Sequence, residues 1–243
     1  RFPIQGTFRN AAGLFIHHLE GQLGPEIVGE VVVLTVDRTR RAAIERHHTA
    51  THLLHWALRG VVGSHIHQAG SLVDPAYLRF DFAHFQALTP EELAQVETRV
   101  NQAIWANTVV QTFEVAFDQK PQNAIAFFGE KYGDVVRVVD IGGFSVELCA
   151  GTHVAQTGEL GLFKLLGQSA VAAGVRRIEA VCGDAALHWA QLQQGSQQAL
   201  SQRLSCGPTE LVDRVDALLA RKEELERLAQ QHRQQALSAQ ARQ

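Results

Sequence analysis

The chain has 243 residues, of which 46% are hydrophobic and 19% charged, enough for one medium domain plus accessory elements. No apolar run approaches the roughly 18 residues that a membrane helix needs, and no basic n-region or signal core opens the chain, so a cytosolic protein is expected. A formal charge of −3 provides no overall basic field, and contact with nucleic acid would have to come from a local patch.

From Phe2 to about Asp37, short apolar runs such as Gly13 to His17 and Ile27 to Val33 are bounded by Gly, which reads as strands of a small sheet or barrel. Arg41 to Val62 is rich in Ala and Leu. Its Ile44, His48, Leu53 and Leu54 keep a helical rhythm that Gly60 and Gly63 would end. Tyr77 to Phe82 reads as a strand. Thr89-Pro90-Glu91-Glu92 then starts a helix, with Thr89 at the N-cap and Pro90 at the first helical position, running to about Asn107. From Val109 to Val181 the pattern returns to strands and Gly turns, with apolar clusters at Val135 to Ile141 and Phe144 to Leu148 and a last strand at Arg177 to Val181.

After Gly183 the composition shifts to Ala, Gln, Leu and charge, and Gly207-Pro208 divides two helical segments. In the second, Leu211, Val215, Leu218, Leu225, Ala229 and Ala236 form a seam with coiled-coil-like steps. No internal repeat is present. The chain starts at Arg1 and has no methionine, which fits a fragment or a processed product.

Twelve histidines raise the expectation of a metal site. His48 and His52 stand four apart on one helix, where both rings reach the same side. Cys149 and His153 repeat that spacing in a Gly-containing turn after an apolar strand. Three imidazoles and one thiolate suit zinc better than magnesium or calcium. A helical histidine pair also suggests a zinc protease, but the general-base Glu of that motif is replaced by Thr49. Counting ligands alone, four protein groups favour a closed structural site. Cys182 and Cys206 have no partner at ligand spacing and read as ordinary thiols, and an odd count of three argues against a disulfide framework.

Several runs carry a resemblance. H-H-T-A-T-H-L-L-H-W-A-L-R at 47 to 59, G-S-L-V and L-R-F-D-F within 70 to 82, F-F-G-E-K-Y-G-D-V-V-R-V at 127 to 138, E-L-C-A-G-T-H-V at 147 to 154 and A-A-G-V-R-R-I-E-A-V at 172 to 181 resemble the editing region of alanyl-tRNA synthetases. The likeness spans about residues 1 to 183, and the tail looks like the start of that family's C-terminal oligomerisation helices. Free-standing alanyl-tRNA editing proteins and threonyl-tRNA synthetases share the histidine and cysteine core. The R-F-D-F and V-R-R-I-E-A runs and the long tail favour the alanyl enzyme. Two departures stand out: Ala150 replaces a glycine common in the family, and Gln168 stands where an acidic residue is common. The family's preceding glycine-rich motif, ATP site and alanine pocket are not in this chain.

The resemblance implies an α+β fold in three parts: a β-rich barrel segment at 1–40, a zinc-containing editing domain of the second-additional-domain type at 41–183, and a helical oligomerisation segment at 184–243. It implies Zn2+ on His48, His52, Cys149 and His153, and hydrolysis of seryl-tRNA(Ala) and glycyl-tRNA(Ala). Such editing meets a physical need, because an apolar pocket rejects an added hydroxyl by only about two orders of magnitude. Thr51 is the candidate reader of the serine hydroxyl, against the alternative of a helix threonine bonding its own backbone. Gln68 maps onto an editing-site position. Arg176, Arg177, Lys131 and Lys164 are candidate contacts for the tRNA acceptor end. Arg79 and Asp81, two apart on a strand, face one side and offer an ion pair. The parent protein would ligate alanine to tRNA(Ala) with ATP. The rival readings are a free-standing deacylase and a non-catalytic RNA-binding module with a structural zinc.

Overall fold

A computed structural model describes residues 2–126 and 132–240. The chain divides into two units, Arg1–Asp37 and Arg38–Gln243. In the first, β1 (Ile4–Arg9) and β2 (Phe15–Leu19) pair antiparallel around a turn in which Asn10 caps Leu14 and Gly13 takes φ +82°. A 3-10 turn at Pro25–Ile27 follows. The β-branched run beyond it pairs with no strand among the described residues: Val31 is 96% exposed and Val33 87%. The described residues of this unit therefore form a two-stranded ladder and no closed barrel, because closure requires a partner for every strand edge.

Among the described residues, the second unit is a mixed α+β assembly of two antiparallel sheets and four α-helices. Helix α1 (Arg38–Val61) begins three residues before the sequence suggests, and Gly63, at φ +143°, lies just beyond its end. It packs on a sheet ordered β3-β4-β9-β8, formed by β3 (Gln68–Val73), β4 (Leu78–Ala83), β8 (Phe163–Ala172) and β9 (Val175–Cys182). Period-2 alternation on β4 sends Leu78, Phe80 and Phe82 into the core against Leu53, Leu54, Leu58 and Ile178, and leaves Arg79 and Asp81 on the outer face.

Helix α2 (Pro90–Trp105) packs on α1 and opens with the anticipated cap: Thr89 and Glu92 satisfy each other's backbone N–H groups. It stops at Trp105, short of the anticipated Asn107, which adopts a left-handed φ of 48°. The second sheet, β5-β6-β7, comprises β5 (Val110–Ala116), β6 (Val135–Ile141) and β7 (Ser145–Leu148), with a small apolar cluster of Val136, Val138, Val146 and Leu148. The chain closes with α3 (Asp184–Leu204) and α4 (Leu211–Gln240), separated by a 3-10 turn at Pro208–Glu210. The seam on α4 is not buried in this chain, since Val215, Leu218 and Leu225 are exposed. The side chain of Ala236 lies outside the described residues. No helix among the described residues is long and apolar enough to cross a membrane.

Candidate metal centre

Helical periodicity puts His48, His52 and His55 on one face of α1, facing the end of β7 and the loop that leaves it. That loop carries Cys149 and His153. Arg137, on the neighbouring β6, holds its backbone by donating to the carbonyl oxygens of Cys149 and Gly151. A side chain at Gly151 would collide with the His48 ring, so the absence of a Cβ there is what lets loop and helix meet. One ligand atom from each of His48, His52, Cys149 and His153 lies within 4.8 Å of the others. Three imidazoles and one thiolate brought that close are a donor set that suits zinc.

Two buried atoms support a cation at that focus. His52 Nε2 and His153 Nε2 are both shielded from solvent and have no hydrogen-bond partner. An unpaired buried nitrogen is costly unless something else satisfies it. Their other nitrogens are engaged. His52 Nδ1 lies 2.6 Å from Glu147 Oε2, and His153 Nδ1 lies 3.3 Å from Thr49 Oγ1. The Thr49 hydroxyl donates to the Glu45 carbonyl oxygen at 2.9 Å and accepts from the Val154 amide, so toward His153 it acts as an acceptor. Both rings thus carry their proton on Nδ1 and turn Nε2 toward the centre.

The electrostatics agree. Burial opposes ionisation of Cys149, but the surrounding rings of His153, His48 and His52 outweigh it and bring the thiol down to about 3, a thiolate at neutral pH. His153 is pushed down to about 4, chiefly by burial, which keeps its ring neutral. Burial works against a charge on His52, yet with no cation between them Glu147 and the Cys149 sulfur draw a second proton onto the ring and hold it above the ordinary histidine range, and a metal ion would take the place of that proton on Nε2. Glu147, against its own burial, is held below the usual carboxylate range by His52 and His55. A thiolate and a carboxylate therefore favour positive charge where the four donors converge.

The remaining candidates lie outside this cluster or have partners of their own. Thr51 is buried, and its hydroxyl donates to the His47 carbonyl oxygen at 2.8 Å, the local bond open to a helix threonine; the oxygen can still accept. Gln68 opens β3, half-buried, with its amide on Ser71 Oγ at 3.3 Å. Arg177 makes a two-pronged pair with Asp81, 2.7 Å on each arm. The pair anticipated between Arg79 and Asp81 is thus replaced by one across strands, because Asp81 and Arg177 sit directly opposite in the ladder whereas i and i+2 along a strand are farther apart. Arg176 donates to Gln168, whose amide also bonds both backbone groups of Leu88. Lys164 pairs with Glu97 at 2.8 Å. Lys131 lies outside the described residues. His65 faces His84 at 3.2 Å, away from the metal group. Cys182 is buried in β9 with its thiol pushed up to about 12 by burial, and neither it nor Cys206 joins the cluster.

Glu147, His55, Thr49 and Arg137 were given no role by motif reading. One signal was available: a lone carboxylate in the apolar strand Phe144 to Leu148 must find partners when buried. The domain family described as "Threonyl and Alanyl tRNA synthetase second additional domain" matches residues 136–179. Over 240 residues the chain is 46% identical to an alanine–tRNA ligase of Opitutus terrae, covering 97% of this chain and 26% of that protein. It is 48% identical to that of Halorhodospira halophila (97% and 28%) and 47% identical to that of Nitratidesulfovibrio vulgaris (98% and 27%). The chain spans about a quarter of the length of these relatives. At an identity near one half, sustained over almost the whole chain, it matches about a quarter of the length of alanine–tRNA ligases, and residues 136–179 carry the match to the second additional domain of threonyl- and alanyl-tRNA synthetases.

Proposed function

We propose that residues 41–183 hydrolyse mischarged seryl-tRNA(Ala) and glycyl-tRNA(Ala) at a zinc held by His48, His52, Cys149 and His153. The observation that carries this reading is the convergence of the four ligands around two buried, unpaired imidazole nitrogens. In the reaction, water adds to the aminoacyl carbonyl carbon, the ester C–O bond breaks, and the terminal ribose oxygen of the tRNA leaves with a proton. Zinc, when bound, supplies a positive centre that polarises or orients a participant. The chain's own groups do the selecting. Thr51 Oγ1, its proton committed to the His47 carbonyl, is left to accept from a serine hydroxyl. The Gln68 amide would hold the substrate amine or carbonyl, and Arg176, Arg177, Lys131 and Lys164 would use their remaining donors on the acceptor end.

The parent protein would ligate alanine to tRNA(Ala) with ATP in the cytosol, where 1–40 would complete a barrel with strands of the longer chain and 184–243 would oligomerise through the exposed α4 stripe. A second reading keeps the zinc as purely structural in an RNA-binding module. It is favoured by the count of four protein ligands, which leaves no open position. Incubating the purified chain with seryl-, glycyl- and alanyl-tRNA(Ala) separates the two. Editing releases serine and glycine and spares alanine; tRNA binding without release of any amino acid supports the structural module.

A further inference from the structure

We infer that Glu147 is a positioning residue that fixes which nitrogen His52 offers to the metal, an inference that rests on the zinc reading above. Glu147 lies on β7, 2% exposed, so its carboxylate finds its partners within the protein. Each of its oxygens is taken by a different imidazole of α1: Oε2 by His52 Nδ1 at 2.6 Å and Oε1 by His55 Nδ1 at 2.8 Å. An ionised carboxylate only accepts, so both Nδ1 atoms must carry protons. For His52 this leaves Nε2 as the lone-pair nitrogen, and Nε2 is the buried atom left without a partner at the cluster. In the other tautomer His52 would present an N–H to the cluster and could not ligate. His55 completes the bracket: its Nδ1–H holds the second carboxylate oxygen, which keeps the carboxylate from turning away from His52.

The arrangement makes the two natural substitutions behave differently. In Glu147→Gln the amide oxygen still accepts from His52 Nδ1–H. Its nitrogen then donates to His55 Nδ1, and the His55 proton moves to Nε2, where the Ile66 carbonyl already stands. The bonds to both rings are retained and the His52 tautomer is kept. In Glu147→Leu a side chain of similar bulk fills the space but nothing selects the tautomer. Groups that orient metal ligands are worth about 10- to 100-fold in affinity. Competition titration of the full chain with a chromophoric zinc chelator is therefore expected to show that loss for Glu147→Leu, and a change of no more than about threefold for Glu147→Gln. Long-range 1H–15N correlations of the zinc-loaded wild type supply a readout that needs no variant and that a merely structural carboxylate would not dictate: His52 protonated on Nδ1, with Nε2 shifted by the metal. Wild-type affinity in Glu147→Leu, equal losses in both variants, or a zinc-bound His52 protonated on Nε2 would each overturn the role assigned to Glu147. Failure of the wild type to hold zinc would overturn the metal reading along with it.

Discussion

A methyl group added at Gly151 would land on the His48 ring, whereas Ala150 beside it is exposed and has no positive φ. Ala150 therefore needs no glycine-only backbone, and Gly151 is the position that matters. Gly151→Ala should displace the His48 ring and lower stability by about 1–3 kcal/mol, as overpacking does, while Ala150→Gly should leave zinc content unchanged. Inductively coupled plasma mass spectrometry with urea melts of both variants checks this; normal zinc in Gly151→Ala would mean that the loop yields. Thr51 gives a second residue-scale outcome. Thr51→Val keeps shape but loses the acceptor, so deacylation of seryl-tRNA(Ala) should fall about ten- to hundredfold, in line with about 1–3 kcal/mol for a buried polar group left unpaired. Glycyl-tRNA(Ala), with no hydroxyl to read, should be affected much less. A uniform fall on all three aminoacyl-tRNAs would assign Thr51 to the helix rather than to selection. The grouping of His48, His52, Cys149 and His153 was legible because identity and spacing alone bring each pair together. Glu147 was not, since its role depends on how β7 registers against α1, and nothing local records that.

Elements show the same division between local and distant causes. The start of α2 could be read from Thr89 to Glu92 because a capping box closes within four residues. The partner of Asp81 could not, because Arg177 lies 96 positions away and is chosen by the pairing of β4 with β9. At the end of β9, the amide of Cys182 donates to His47 Nε2 at 3.2 Å, and burial raises the Cys182 thiol from 9.0 to about 12. The unfolded chain thus ionises this thiol before the folded one does. The contribution is intact below pH 9 and is lost as pH climbs toward 12, at about 1 kcal/mol per pH unit. Urea midpoints of wild type and Cys182→Val, taken at pH 8 and pH 10.5, should diverge in their pH slope, with the variant flatter. Equal slopes would mean that the thiol ionises as readily folded as unfolded.

For the whole molecule, the two chain ends carry apolar surface that the described residues leave uncovered: Val31 and Val33 near the start, and Val215, Leu218 and Leu225 on α4. Such an exposed stripe on a long helix is stabilised by a partner helix. Light scattering should find the full chain larger than a monomer and a version ending at Gly183 monomeric; two monomers would remove the oligomerisation role from 184–243. The composition shift after Gly183 and the break at Gly207-Pro208 made this part legible, and the helices appear on either side of that break. The barrel was not legible at 1–37, because strand-forming runs reveal propensity and not whether partners are present. Everything proposed for function turns on the centre between α1 and the loop after β7. Its most direct test is the zinc content of the purified wild type beside Cys149→Ala and His65→Ala. One zinc per chain in wild type and His65→Ala, with most of it lost in Cys149→Ala, is the expected result; equal zinc in all three, or none in the wild type, would contradict it.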